Sequence, residues 1–116
     1  MDSPPIFLPC VGNFYRGMLV RIPIPLKAIP SRPSGKDLIE CYKKHYENRN
    51  HIEVVEVKEG SPQKEINPES LNGTSALRIY ALIDSKQNNA VIIAQLDNLG
   101  KGASGQVVET IKILTA

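Results

Sequence analysis

Six consecutive residues, Gly100-Lys101-Gly102-Ala103-Ser104-Gly105, match G-x-G-x-x-G. In a strand-to-helix turn that pattern cradles a dinucleotide pyrophosphate on free backbone N–H groups. The chemistry also needs a βαβ unit of about 30 residues and an acid about 20 positions further on. Eleven residues follow Gly105 in the sequence, too few for a second parallel strand. The motif therefore reads as a Gly-rich turn that permits tight packing at a helix start, with N–H groups that could still face an anion.

Four other places carry chemically capable residues. Cys10 has the side chain of a nucleophile but no base beside it in sequence, so it reads as a half-buried small hydrophobe. Cys41 and His45 stand at i and i+4 on one helical face, with His51 nearby. A structural zinc needs four ligands and no fourth is evident, so no metal site is expected. Arg16 follows Phe14 and Tyr15 and precedes Gly17. Its guanidinium could clamp a carboxylate or phosphate through two parallel bonds, or it is an ordinary charge at a strand entry. Asp97-Asn98 would, on turn chemistry alone, close a strand and cap a turn. Lys101 beside them reads as a solvated charge.

The elements that position these residues can be placed from pattern. A short strand is expected at Ile6-Phe7-Leu8, ended by Pro9 and Gly12. Met18 to Leu26 alternates, with Met18, Val20, Ile22, Ile24 and Leu26 on one face. Pro23 and Pro25 put both missing N–H groups on the same side, which makes this an edge strand. Ser34 and Asp37 have the spacing of a capping box. The helix they open should run from Gly35 to about Asn48, with Leu38, Ile39, Tyr42 and Tyr46 as its apolar stripe and Lys43, Lys44 and Arg49 at its negative end. Ile52 to Lys58 is a strand by β-branched density. Glu59 to Gly73 reads as a long loop of the sort that often closes over something. Ala76 to Asp84 and Ala90 to Leu96 form a hairpin across Ser85 to Asn89. Val91-Ile92-Ile93-Ala94 is apolar on both faces, as in a strand buried on both sides. A helix follows from Gly102, with Val107, Ile111 and Leu114 on one face and Val108 beside them. The expected class is α+β: a mixed, mostly antiparallel sheet with helices on one face.

The 116 residues suit one domain or part of one. With 41% apolar and 22% charged residues the chain can bury a core, which excludes disordered, collagen-like and disulfide-scaffold classes. A net charge of +2, 5% aromatic residues and no Trp argue against a nucleic-acid partner. No run of 18 apolar residues crosses a membrane. The opening Met1-Asp2-Ser3-Pro4-Pro5 lacks the basic and apolar regions of a secretory signal. Two cysteines make no disulfide framework, so a reduced, cytoplasmic protein is the default expectation.

Two segments go beyond generic patterning: Phe7-Leu8-Pro9-Cys10-Val11-Gly12-Asn13-Phe14-Tyr15-Arg16-Gly17-Met18, and Asp97-Asn98-Leu99-Gly100-Lys101-Gly102-Ala103-Ser104-Gly105-Gln106. In this order and about 80 residues apart, they resemble the N-acetyl-gamma-glutamyl-phosphate reductase family, in its shorter subfamily. Leu71-Asn72-Gly73-Thr74-Ser75 resembles the strand-leading motif between them, with Ser75 where Asn is common. After Gln106 the family tends to continue with Ala, Gln and Asn, whereas this chain has Val107-Val108-Glu109-Thr110.

The resemblance implies a two-domain, NADP-dependent oxidoreductase of arginine biosynthesis, related to aspartate-semialdehyde dehydrogenase and glyceraldehyde-3-phosphate dehydrogenase. A Cys thiolate displaces phosphate from N-acetyl-glutamyl 5-phosphate, and hydride from NADPH reduces the thioester to the 5-semialdehyde, with a His as acid and base. It implies further that residues 1–116 are a partial C-terminal catalytic/dimerisation domain. The Rossmann domain and the Cys and His motifs would precede Met1, so the chain holds no catalytic residue of its own and is inactive alone. On the same resemblance Asn98 bonds the nicotinamide carboxamide, matching its donor and its acceptor. Gly102 and Ala103 are small because the nicotinamide comes close, or because helix and strand pack there. Arg16 meets a carboxylate or phosphate of the substrate, and the assembly is a homo-oligomer. The alternative is a non-catalytic module that self-associates or binds a phosphorylated metabolite.

Overall fold

A computed structural model describes Pro4, residues 6–57 and residues 65–116. Its elements are β1 (Met18–Pro25), a 3-10 turn at Leu26–Ala28, α1 (Gly35–His45), β2 (Ile52–Val57), β3 (Leu77–Asp84), β4 (Asn89–Leu96), a wide π-helical turn at Gly100–Ser104, and α2 (Gly105–Thr115). The four strands form one sheet in the order β1-β4-β3-β2. β4 runs antiparallel to both neighbours, while β2 lies parallel to β3. The α+β class with a mixed, mostly antiparallel sheet is therefore as the pattern predicts.

β1 lies at an edge. Its Pro23 and Pro25 pair with Val91 and Asn89 of β4, so the strand tolerates two missing donors. β4 is central and closed on both sides: Ala90 and Ile92 are buried on one, Ile93 and Gln95 on the other. The α1 side holds the apolar core, where Ile39 meets Ile79, Ala81 and Ile92, with Leu38, Tyr42 and Tyr46 packed around them. The capping box is complete: Asp37 N–H donates to Ser34 Oγ at 3.2 Å, and Ser34 N–H donates to Asp37 Oδ2 at 2.8 Å. The Ser34 hydroxyl, which donates to Asp37 Oδ2 at 2.7 Å, and then the Ser34 N–H hold the Asp37 carboxyl below its ordinary range.

The opposite side of the sheet is covered differently. Gln95 is fully buried and would be costly there without partners. Its Oε1 accepts from Tyr80 OH at 3.0 Å, and its Nε2 donates to Asn67 O and to Ser70 Oγ at 2.7 Å. This network fastens the later part of the 59–73 loop onto the sheet; residues 59–64 of that loop, and Lys58 before it, lie outside the described residues.

Three boundaries differ from the pattern. Ile6-Phe7-Leu8 forms no strand, and its side chains are 81–88% exposed; no described edge pairs with it, and an isolated strand leaves its backbone groups to water. α1 stops at His45 rather than Asn48, because Asn48 takes a left-handed backbone (φ 60°), and Arg49 falls in the turn beyond. α2 begins at Gly105, after Ala103 leaves helical geometry (φ −142°, ψ −113°). Its apolar residues, Val107, Val108, Ile111, Ile113 and Leu114, are 50–79% exposed.

The core predicts its own test. Ile39→Ala leaves a cavity against three buried side chains and should cost about 2–5 kcal/mol in urea denaturation. Ile113→Ala, at an exposed position, should change stability by less than about 0.5 kcal/mol.

Candidate functional site

The sheet register brings three loops to one place. Met18, Leu96 and Leu77 are aligned across β1, β4 and β3, so the segments before β1, after β4 and before β3 meet at the same end of the sheet. Asp97, the first residue past β4, is fully buried at their junction.

Its carboxylate accepts from Gly73 N–H at 2.7 Å and from Leu99 N–H at 3.0 Å, the second an Asx turn closing the strand. Gly100 N–H is a third donor, and Arg16 Nε stands 3.7 Å from Oδ2. The Gly73 bond, helped by those from Leu99 and Gly100 and by the Arg16 charge, holds the Asp97 carboxyl below its ordinary range against the opposing effect of burial. A Cβ on Gly100 would lie 2.9 Å from Asp97 Oδ2. The first glycine of the G-x-G-x-x-G pattern thus makes room for a carboxylate of the chain itself, not for a phosphate.

Asn98 carries the second tie. Its Oδ1 accepts from Gly17 N–H at 2.7 Å, and Asn72 Nδ2 donates to the neighbouring Arg16 carbonyl at 3.1 Å. Gly17 is buried at φ +114°, and a Cβ there would run into the Pro68 carbonyl. Only glycine presents its N–H to Asn98 in this conformation.

Beside these residues is a cavity of about 450 Å3, walled by Phe14, Tyr15, Arg16, Arg21, Pro68 and Asn98 and by the 10–12 stretch. Of the residues expected from sequence at a ligand site, it brings Asn98 and Arg16 together. Gly102 and Ala103 are exposed and do not line it. A Cβ on Gly102 would meet Leu96 Cδ1 at 3.1 Å, which is the helix–strand packing alternative. Cys10 lies on the cavity wall but is exposed rather than half-buried. A second cavity, of about 390 Å3, lies at the other end of the sheet against Val57, Leu82 and Val91, and none of the expected site residues reaches it.

Lys101 is neither solvated nor free for an anion. Its Nζ pairs with Glu109 Oε2 at 2.6 Å, with the two side chains 15% and 22% exposed. Lys101, with Ser75 next in weight, holds the Glu109 carboxyl below its ordinary range. The pair bridges the π-helical turn to α2. His45 packs edge-on against Tyr46, with centroids 4.8 Å apart. Among the described residues no three of His, Cys, Asp or Glu gather as metal ligands, and no helix is long and apolar enough to cross a membrane.

Residues 1–98 match the family described as semialdehyde dehydrogenase, dimerisation domain. The chain belongs to that family. The match includes Arg16, Gly17, Asn72, Asp97 and Asn98; Gly102, Ala103 and α2 lie beyond it. Curated relatives carry a more specific name. The N-acetyl-gamma-glutamyl-phosphate reductase of Trichormus variabilis is 35% identical over 98% of this chain, and that of Burkholderia orbicola is 33% identical over 95%. A reductase of the same name from Pseudomonas putida, numbered 2, is 30% identical over 98%. This chain spans about a third of each relative's length, 35–36%.

The sequence reading singled out Asn98 and Arg16, took Asp97 only as a strand-closing turn residue, and gave Gly17 and Asn72 no role of their own. A signal was present: an acid directly after an apolar strand, three residues ahead of a glycine. Folding lowers the Asp97 carboxyl, and those of Asp37 and Glu109 with it, so protonation favours the unfolded chain. The stability these carboxylates confer is complete above the usual carboxylate value of about 4 and falls as pH drops through the lowered values. Urea midpoints measured from pH 7 to 2 should therefore decline on the acid side. Asp97→Asn should lower the neutral midpoint and flatten that decline; an unchanged acid limb in this variant would remove Asp97 from the account.

Proposed function

We propose that this chain is the C-terminal catalytic and dimerisation portion of an NADP-dependent reductase that converts N-acetyl-glutamyl 5-phosphate to the 5-semialdehyde, working as a cytoplasmic homo-oligomer. The observation that carries the reading is the meeting of Asn98 and Arg16 on one cavity wall, both tied to Asp97-centred loops that lie within the family match.

The residues fit a nicotinamide. Asn98 Nδ2 makes no hydrogen bond among the described residues, so a donor is available at the wall, and Phe14, Tyr15 and Pro68 give that wall apolar surface. The nucleotide supplies the hydride when bound; the protein's part here is to hold the pyridine ring and the substrate. Arg16 turns Nε toward Asp97, and a guanidinium has further N–H donors with which to meet the substrate's carboxylate or phosphate. Gly102 and Ala103 act one step back, keeping the turn after Asn98 compact. The thiolate and the acid–base His that such chemistry requires are assigned to the part of the reductase outside this chain.

The exposed apolar side of α2 and the edge residues Met18, Val20 and Ile22, 37–46% exposed, support a surface that other parts of the assembly cover. They also favour the second reading, a module that self-associates without catalysis. The two separate in one experiment. Residues 1–116 alone should show no NADPH oxidation with the acyl phosphate, whereas the full-length reductase should lose affinity for NADPH by about 2- to 10-fold on Asn98→Ala, one neutral hydrogen bond. Oxidation by the isolated chain, or an Asn98→Ala reductase with unchanged affinity and turnover, would overturn the proposal.

A further inference from the structure

We propose that Arg21 is the second cation of the cavity beside Asn98 and binds the α-carboxylate of the substrate, leaving the phosphate to Arg16. The assignment rests on the proposed reductase function and adds a residue for the far end of its substrate. Arg16 and Arg21 line the one cavity of about 450 Å3, and among its described lining residues no Asp, Glu or Lys stands with them. Much of the remaining wall is apolar, with Val11, Phe14, Leu19 and Pro68. Two guanidiniums on a wall without an acid complement a ligand with two anionic groups. N-acetyl-glutamyl 5-phosphate has that form. Acetylation removes the ammonium that such a wall would repel, and a carboxylate and a phosphate remain at the two ends.

The two arginines are held differently, and this divides the two ends between them. Arg16 is fixed beside Asn98: its Nε stands 3.7 Å from Asp97 Oδ2, its carbonyl accepts from Asn72 Nδ2, and the next N–H, of Gly17, donates to Asn98. A guanidinium next to the residue proposed to hold the pyridine ring lies where hydride is delivered, so it meets the acyl carbon and its phosphate. Arg21 stands in β1, three residues past Met18 and so about 10 Å along the strand. Strand alternation puts it on the face of Leu19, which also lines the cavity. Its side chain is exposed, and none of the ion pairs among the described residues includes it. Its N–H donors are therefore open to a ligand. An extended glutamyl skeleton sets its two carbonyl carbons four C–C bonds apart, about 5 Å. Two long side chains that reach one cavity from these positions meet both ends of it.

The test is steady-state kinetics of the full-length protein in the direction of aldehyde oxidation, with NADP, inorganic phosphate and one of two aldehydes. These are N-acetyl-glutamate 5-semialdehyde and 4-acetamidobutanal, the same molecule without its α-carboxylate. Wild type is compared with Arg21→Gln and Arg21→Lys. Arg21→Gln should raise KM for the semialdehyde by about 10- to 100-fold, the loss of one charge-assisted hydrogen bond. It should leave KM for phosphate and kcat/KM for 4-acetamidobutanal unchanged. Arg21→Lys keeps the charge but not the planar fork, so it should recover part of the loss; should Arg21→Gln fail to fold, its deficit, confined to the semialdehyde, carries the test. Equal losses on both aldehydes would make Arg21 a residue of the fold alone. A rise in KM for phosphate alone would place it at the other end of the substrate, and no change in any constant would remove it from the site. Each of these overturns the assignment while wild-type activity leaves the proposed function standing. A wild type that oxidises neither aldehyde would overturn the proposed function, and this assignment with it.

Discussion

A single buried carboxylate organises the functional end of this molecule. Asp97 has no exposure to solvent, yet three backbone N–H groups and one guanidinium face it. A buried charge without such partners would neutralise or unfold its surroundings; here the donors keep it ionised and the ionised group keeps the loops in place. The segments around Arg16, Gly73 and Leu99 come from widely separated parts of the sequence, and only the sheet register brings them within reach of one another. Removing any one of these donors would loosen the others, which is the physical sense in which Arg16 and Asn98 are held together rather than standing as two independent side chains.

The sheet makes this possible by being rigid where it must be. β4 lies between β1 and β3, with apolar packing on the α1 side and the Tyr80–Gln95 network on the other. Its end at Leu96 is therefore a fixed point from which Asp97 and Asn98 project. The periphery is built to a different rule. α2 is tethered by the Lys101–Glu109 pair and leaves its apolar side uncovered.

How far this was legible in the sequence depends on the range of the interaction. The capping box, the β3–β4 hairpin and the edge position of β1 follow from neighbours within a few residues, and Ser34 with Asp37, or Pro23 with Pro25, announce them. The Ile6–Leu8 segment has the composition of a strand, but composition does not supply a pairing edge. The glycines at 100, 102 and 105 match a phosphate-binding pattern because tight turns and phosphate loops make the same demand, an absent Cβ; whether a ligand or the chain's own Asp97 fills the space is a tertiary question. Likewise Lys101 looks free until α2 folds back to place Glu109 beside it, eight residues on. Asn98 was singled out through family resemblance, but the hydrogen bond its amide makes was not legible, since its partner, Gly17 N–H, is 81 positions away.

The most direct test of the proposed function is the structure of the full-length protein with NADP added. The account predicts the Asn98 side chain about 3 Å from the nicotinamide carboxamide. An Asn98 side chain turned away from the pyridine ring would contradict it.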